Sequence, residues 1–310
     1  MLPSMTRNLI RRAKLVVNFG PIFLIDSARN RLRRWRWASQ NTSMISGSTS
    51  LSDGTKYVEV CKAAVENDSV YLKYKSCEDY RQILEHCDYP LGLAYLSQIH
   101  TNKLIMNSLR EISDKDGGLP AKFWYPKLGR ISPTHIRYAK VSQDLFTLFG
   151  SLDGLRISEI GVGFGGQAQH VLNLSDIAKY ELIDLEWPAK LAMKNLVKFN
   201  SDAAKKVQIA PIDIKLVSDL VISNYAFSEL ARNIQDIYMK GIISNATKGY
   251  VIFNYIHEVG SDSMSAEEFL RVLPHDAEVF KEKPLTHPEN VLIVWGHSRE
   301  LPEDLFERII

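Results

Sequence analysis

The chain has 310 residues, 45% of them hydrophobic and 24% charged, with a formal net charge of +2. That length accommodates one large or two modest domains with a full core, and the composition is that of a soluble globular protein. The cysteines, Cys61, Cys77 and Cys87, are odd in number and lack C-x-x-C spacing, which excludes a disulfide frame and a zinc ribbon.

Residues 1–40 hold nine Lys or Arg against one acid, Asp26, so the rest of the chain is net acidic. The apolar stretch from Leu15 to Ile25 is interrupted by Asn18, Gly20 and Pro21. About 20 apolar residues are needed to span a bilayer, so a transmembrane helix is not expected there. No small-residue cleavage site follows, which weakens a secretory-signal reading. Arginines beside Trp35 and Trp37 suit an anionic headgroup layer, so the arm reads either as a peripheral membrane anchor or as a plain basic tail. The expected location is cytoplasmic, with the inner membrane face as its peripheral variant. Ser39 to Thr55 is a polar linker. The division is a basic arm and linker over 1–52, a helical cap or substrate domain over 53–150, and a cofactor-binding domain over 151–310.

Helical periodicity dominates the second part. "KYVEVCKAAVEN" places Val58, Cys61, Ala64 and Val65 at three and four spacing, and "LGLAYLSQIHTNKLIMNSLREI" after Pro90 reads as one long amphipathic helix. "DKDGGLPAKFWYPKLGRISPT" interrupts the pattern as a structured loop. Its Phe123, Trp124 and Tyr125 could stack on a sugar ring or plug an interdomain seam. "THIRYAKVSQDLFTLFG" resumes as a helix with Gly150 as its C-cap.

After Leu152 short apolar runs alternate with helical stretches. "RISEI", "YELID", "VQIAP", "DLVIS" and "YVIFNY" are the expected strands, separated by helix candidates such as "WPAKLAMKNLVKFN", with Pro188 in its first turn. This alternation predicts an α/β, Rossmann-like, mostly parallel sheet with helices on both faces. Ser265 and Glu268 form a capping-box pattern, after which "AEVFKEKP" and "VLIVWG" are joined by a link too short for a parallel crossover. The sheet therefore ends in an antiparallel hairpin, where a nicotinamide-binding domain more usually ends in a sixth parallel strand.

"SEIGVGFGGQAQHV" follows the first strand, and Gly161, Gly163 and Gly166 fit the dinucleotide fingerprint G-x-G-x-x-G. Gly161 permits the turn, Gly163 lets backbone approach a ligand, and Gly165 and Gly166 permit close packing or positive φ. Glu159 discriminates between cofactors. A carboxylate beside the loop repels a pyrophosphate but can hold the cationic aminoacyl end of S-adenosylmethionine, directly or through water. Asp184, at the end of the second strand, can accept both ribose hydroxyls of either cofactor.

"ISEIGVGFGGQA", "YELIDLEWPAKLA", "SDLVISNYAFSEL" and "GYVIFNYIHE" resemble the class I S-adenosylmethionine-dependent methyltransferases, and in particular the sugar O-methyltransferases of bacterial surface-polysaccharide clusters. The similarity extends from Arg156 to Gly296, with "GGLPAKFWYPKLGRISPTHIRYAK" also similar to the region before that family's glycine loop. The resemblance implies S-adenosylmethionine as cofactor, with Glu159, Gly161, Gly163, Gly165, Gln167, Asp184, Leu185, Asp213 and Asn224 around it. It implies a carbohydrate acceptor, lipid-linked or in a growing surface polysaccharide.

Methyl transfer to a hydroxyl needs an acceptor oxygen aligned behind the methyl and a general base. The loops after the fourth and fifth strands carry the candidates. His257 or Glu229 would be the base, alone or as a hydrogen-bonded pair, with Tyr225, Asn254, His135 and Arg137 as acceptor contacts. Glu229 reads equally as a first-turn helix acid, His257 as a solvent-exposed loop residue, and Arg137 as an ordinary surface charge. Arg137 could meet a carboxylate of methionine or of an acidic sugar. Asp184, Glu186 and Asp213 are not spaced as a metal site, so no metal is expected. A nucleic-acid substrate is disfavoured by the acidic body and by the lack of an N/D-P-P-Y/F motif. Two other readings stay open: an NAD(P)-dependent oxidoreductase acting on a nucleotide sugar, and an inactive cofactor-binding scaffold.

Overall fold

The computed structural model of the chain describes residues 56–211, 215–254, 263–274, 276–297 and 300–309. The basic arm, Asp213 and His257 lie outside the described residues.

The N-terminal part is helical, as its periodicity predicts: α1 (Lys56–Glu66), α2 (Asp68–Tyr71), α3 (Glu78–Arg81), α4 (Tyr89–Ile99) and α5 (Lys103–Asp114). The long helix expected after Pro90 is two helices. Asn102 stops the first and caps the second, its side chain accepting from the Ile105 N–H at 3.2 Å. The interrupting loop contains a small antiparallel hairpin, β1 (Phe123–Tyr125) with β2 (Gly129–Ile131). α6 (Pro133–Phe149) follows and ends at Gly150, which has φ 76° and donates to the Phe146 carbonyl.

The remaining elements are β3 (Arg156–Ile160), α7 (Gly166–Leu174), β4 (Lys179–Ile183), α8 (Glu186–Phe199), α9 (Ser201–Ala204), β5 (Val207–Ile209), β6 (Leu220–Asn224), α10 (Arg232–Gly241), β7 (Lys248–Phe253), α11 (Ala266–Val272), β8 (Glu278–Lys281) and β9 (Val291–Trp295). They build one seven-stranded sheet in the order β5-β4-β3-β6-β7-β9-β8. β5, β4, β3, β6 and β7 run parallel, while β9 pairs antiparallel with both β7 and β8. The expected terminal hairpin is therefore present, with its second strand inserted beside β7. Ser265 and Glu268 make the reciprocal capping box at the start of α11.

The strands are buried on both faces, which is why they read as near-continuous apolar runs. On one face Ile157, Leu182, Ile222 and Val294 pack with Leu145 and Leu148 of α6 and Leu196 of α8. On the other, Val221, Val251 and Ile293 pack with Ile234 and Tyr238 of α10 and Phe269 of α11. α6, which lies within 53–150, packs on the first of these faces through Val141, Leu145 and Leu148.

The chain reverses direction across the sheet between β3 and β6. The strand ends there form the crevice where ligands bind in open α/β sheets.

Candidate donor and acceptor site

β3 stops at Ile160, and the backbone turns through Gly161 at φ 78°, Gly163 at φ 53° and Gly165 at φ 79° before α7 begins. At Gly161 a β-carbon would stand 2.0 Å from the Ala226 Cβ, so both the conformation and the close approach require glycine. Gly165 takes the N-cap position of α7 without a capping side chain. Phe164, within the bend, is fully buried under the Lys75 ammonium, 3.6 Å from its ring centroid, and its carbonyl accepts from Asn195 Nδ2 at 3.0 Å. The N-terminal helices thus clamp the bend from above.

Two carboxyls flank it. Asp184 Oδ2 accepts from the Gly163 N–H at 3.1 Å, and Oδ1 from the Leu185 N–H at 2.7 Å. Burial pushes this carboxyl up to about 6, although the backbone donors of Leu185, Gly163 and Val162 pull it down. Leu185 is half-buried beside it at the β4 end. Glu159 is only 1% exposed, and its Oε2 accepts from the Tyr180 hydroxyl at 2.7 Å. Burial pushes its carboxyl up to about 8. The acid read from the sequence as lining the crevice is therefore set beneath the bend, between β3 and β4.

β6 delivers Asn224, whose side-chain oxygen and nitrogen are both buried without a hydrogen-bond partner among the described residues. An orphaned amide at the end of a switch-point strand fits a polar ligand. Tyr225 follows at φ 72°, an uncommon conformation for a non-glycine residue, and its hydroxyl donates to the Glu282 carboxylate. A 3-10 turn over Ala226–Glu229 then places Ser228, which donates to the Tyr225 carbonyl at 2.7 Å and accepts from the Asn254 N–H at 2.9 Å. Asn254 Nδ2 in turn donates to Glu229 Oε1 at 2.7 Å. The structure thus joins Glu229 and Asn254, read separately from two loops.

Two sequence-based site residues face elsewhere. His135 is fully buried, its Nδ1 3.3 Å from His170 Nε2 and its Nε2 3.1 Å from Asp116 Oδ1, with Lys75 closing the cluster at 2.6 Å from Asp116. It ties α6 to α7 and to the segment after α5, and is not among the residues lining the crevice. Gln167 is also buried and donates to Ser142 Oγ of α6 at 2.9 Å, away from the bend. α6 misleads because nearly every residue from Pro133 to Leu145 is buried, so no apolar stripe marks which face looks where.

Arg137, by contrast, reaches a narrow crevice with Tyr95, Lys140, Asn224, Tyr225 and Glu282 on its walls. Lys140 and Glu282 carry no local sequence signal for this role; they meet only through the packing of α6 against the strand ends. A larger apolar cavity, about 420 Å³, is formed by Lys56 to Asp79, within the N-terminal helices. Among the described residues, no group of three or more His, Cys, Asp or Glu is placed to hold a metal ion, and no helix is long and apolar enough to cross a membrane.

The sheet order and the glycine bend give a Rossmann-like α/β fold with a terminal antiparallel hairpin. Similar solved structures include an S-adenosylmethionine-dependent methyltransferase from Aquifex aeolicus, at 15% identity over 51% of this chain and 87% of that one, TM-score 0.36. An arsenic(III) S-adenosylmethionine methyltransferase from Chlamydomonas reinhardtii is 14% identical over 49% and 65%, TM-score 0.37. The mitomycin 7-O-methyltransferase MmcR is 11% identical over 84% and 67%, TM-score 0.39. No protein-family model and no curated protein matches the chain.

Proposed function

We propose that the chain is an S-adenosylmethionine-dependent O-methyltransferase acting on a hydroxyl of a carbohydrate, in a surface polysaccharide or its lipid-linked precursor. The observation that carries the donor half is the orphaned Asn224 amide at the end of β6, the strand beside β3, whose following glycine bend is bonded by Asp184. Asp184 would hold the ribose hydroxyls, its backbone bonds leaving lone pairs in reserve. Glu159, reached past the bend or through water, would neutralise the ammonium of the methionine moiety. Asn224 would take a polar group of the same moiety. When bound, the donor supplies a methyl already activated by its sulfonium.

The chain's own residues then supply alignment and a proton acceptor. Glu229 is held by Asn254 at the mouth of the switch point, where a carboxylate can take the proton of an attacking hydroxyl. His257, on the loop after β7, is the second candidate for that role and lies outside the described residues. The basic arm supports contact with an anionic membrane surface, where a lipid-linked glycan would be met.

The test is turnover with labelled S-adenosylmethionine on mono- and oligosaccharide acceptors, read by mass spectrometry of the methylated product. Glu229→Gln is expected to lower kcat by about 10²–10⁴ with donor affinity unchanged. Donor binding with no methylation of any carbohydrate would instead favour the scaffold reading.

A further inference from the structure

Arg137 is a buried cation with no anionic partner among the described residues. It is 6% exposed; one Nη donates a long 3.4 Å bond to the Tyr138 hydroxyl, and its Nε has no acceptor. The guanidinium carbon sits 5.0 Å from the Tyr138 ring centroid and 5.8 Å from that of Tyr225. Ring faces return only about 0.5–2 kcal/mol to a cation, against a desolvation penalty of several kcal/mol.

The neighbouring charges do not supply the missing partner. Lys140 pairs with Asp144 at 2.5 Å, and Asp144 also accepts from the Tyr250 hydroxyl at 2.7 Å. Lys283 donates to the Glu303 and Asp304 carbonyls. Glu282, the carboxylate on the crevice wall, is taken up by the Tyr225 hydroxyl, by Thr286 and by Asn290. A planar five-donor group facing a crevice, its own carboxylates engaged elsewhere, is matched by an incoming oxyanion.

Position then separates donor from acceptor. The glycine bend and Asp184 stand at the ends of β3 and β4, whereas the crevice that Arg137 faces is lined by Asn224 of β6, Tyr250 and Ile252 of β7 and Glu282 and Lys283 after β8, with no residue of the bend or Asp184 among its walls. We infer that the acceptor is acidic, carrying a carboxylate or phosphate that Arg137 binds in this crevice. This rests on the acceptor site proposed above and adds the chemical class of its occupant. The space is about 10 Å³, that of a single water, so the inference requires side chains on its wall to move apart when the anion binds.

The experiment is calorimetric titration of the full chain with glucuronate, glucose 1-phosphate and glucose, each with and without saturating S-adenosylhomocysteine, for wild type, Arg137→Gln and Arg137→Lys. Circular dichroism melting checks that each variant is folded. Wild type is expected to bind at least one acidic probe about tenfold or more tightly than glucose. Arg137→Gln is expected to abolish that preference and Arg137→Lys to keep part of it, with homocysteine-nucleoside affinity unchanged. Preference for glucuronate alone identifies a carboxylate, and for the phosphate alone a phosphoryl group. Equal binding of acidic and neutral sugars, or no binding of either acidic probe at millimolar concentration, overturns the inference. So does an Arg137→Gln defect confined to S-adenosylhomocysteine, which would put the guanidinium on the donor's carboxylate. An acidic preference that needs Arg137 while S-adenosylhomocysteine fails to bind supports the anion site and contradicts the donor reading.

Discussion

Glu159 is a single buried acid whose burial couples folding to pH. Burial raises its carboxyl from an ordinary 4.5 to about 8, so the fold binds this proton more tightly than the unfolded chain does. A raised value contributes stability that is full below about pH 4.5 and is lost as pH rises through about 8. Thermal melts from pH 5 to 9 are therefore expected to drift downward in wild type and to drift less in Glu159→Gln. Parallel curves for the two proteins would mean that the carboxyl is not shielded. Binding a cationic aminoacyl group favours the ionised form, so S-adenosylhomocysteine should displace a proton near neutrality in wild type and none from Glu159→Gln. Gly161 supplies a steric counterpart. Gly161→Ala places its new methyl against Ala226 and is expected to cost about 1–3 kcal/mol and to abolish nucleoside binding. Gly154→Ala, at φ 73° with nothing within 4 Å, pays only the conformational cost of about 1–2 kcal/mol and keeps binding. Urea unfolding of the pair separates the two contributions.

At the scale of elements, the clamp over the glycine bend is assembled from pieces distant in sequence. Lys75 follows α2, Asp116 follows α5, His135 opens α6 and His170 lies on α7. Burial works against the Asp116 charge, but His135 and Lys75 hold its carboxyl well below the ordinary value. Lys75→Met removes the ammonium from both Asp116 and the Phe164 ring, leaving a buried carboxylate short of a partner. A loss of about 3–5 kcal/mol in urea unfolding is expected, with weaker S-adenosylhomocysteine binding because the bend loses its lid. Unchanged stability would show that the pair is dispensable. Nothing in "YLKYK" or "DKDGG" announces this cluster. Lys75 and Asp116 read as ordinary charges until the helices bring them to 2% exposure. The strands, by contrast, were legible, because burial on both faces imprints apolar runs that need no knowledge of partners. The break at Asn102 was missed because apolar spacing continues through it, and a lone asparagine cap is a weak signal.

For the whole molecule, strand order matters more than the glycines. "GVGFGG" fits two cofactor classes, while a terminal strand inserted antiparallel beside β7 departs from the sixth parallel strand with which a nicotinamide-binding domain more usually ends. The hairpin was readable from a link too short to cross over, but its insertion was not, since insertion depends on which edge of β7 stays open. Asp184, Tyr225 and Asn254 directly follow strands, Asn224 closes β6 and Glu229 ends the turn after it, so their place at the strand ends was legible in sequence. His135 and Gln167 could not be oriented from within helices that are buried on all sides.

On the reading proposed above, the crevice between β3 and β6 takes a sulfonium nucleoside rather than a dinucleotide. Calorimetric titration of the full chain with S-adenosylhomocysteine and, separately, with NAD tests it most directly. Saturable one-to-one binding of S-adenosylhomocysteine, weakened by Asp184→Asn, is expected, and none of NAD. Saturable NAD binding with S-adenosylhomocysteine silent would contradict it.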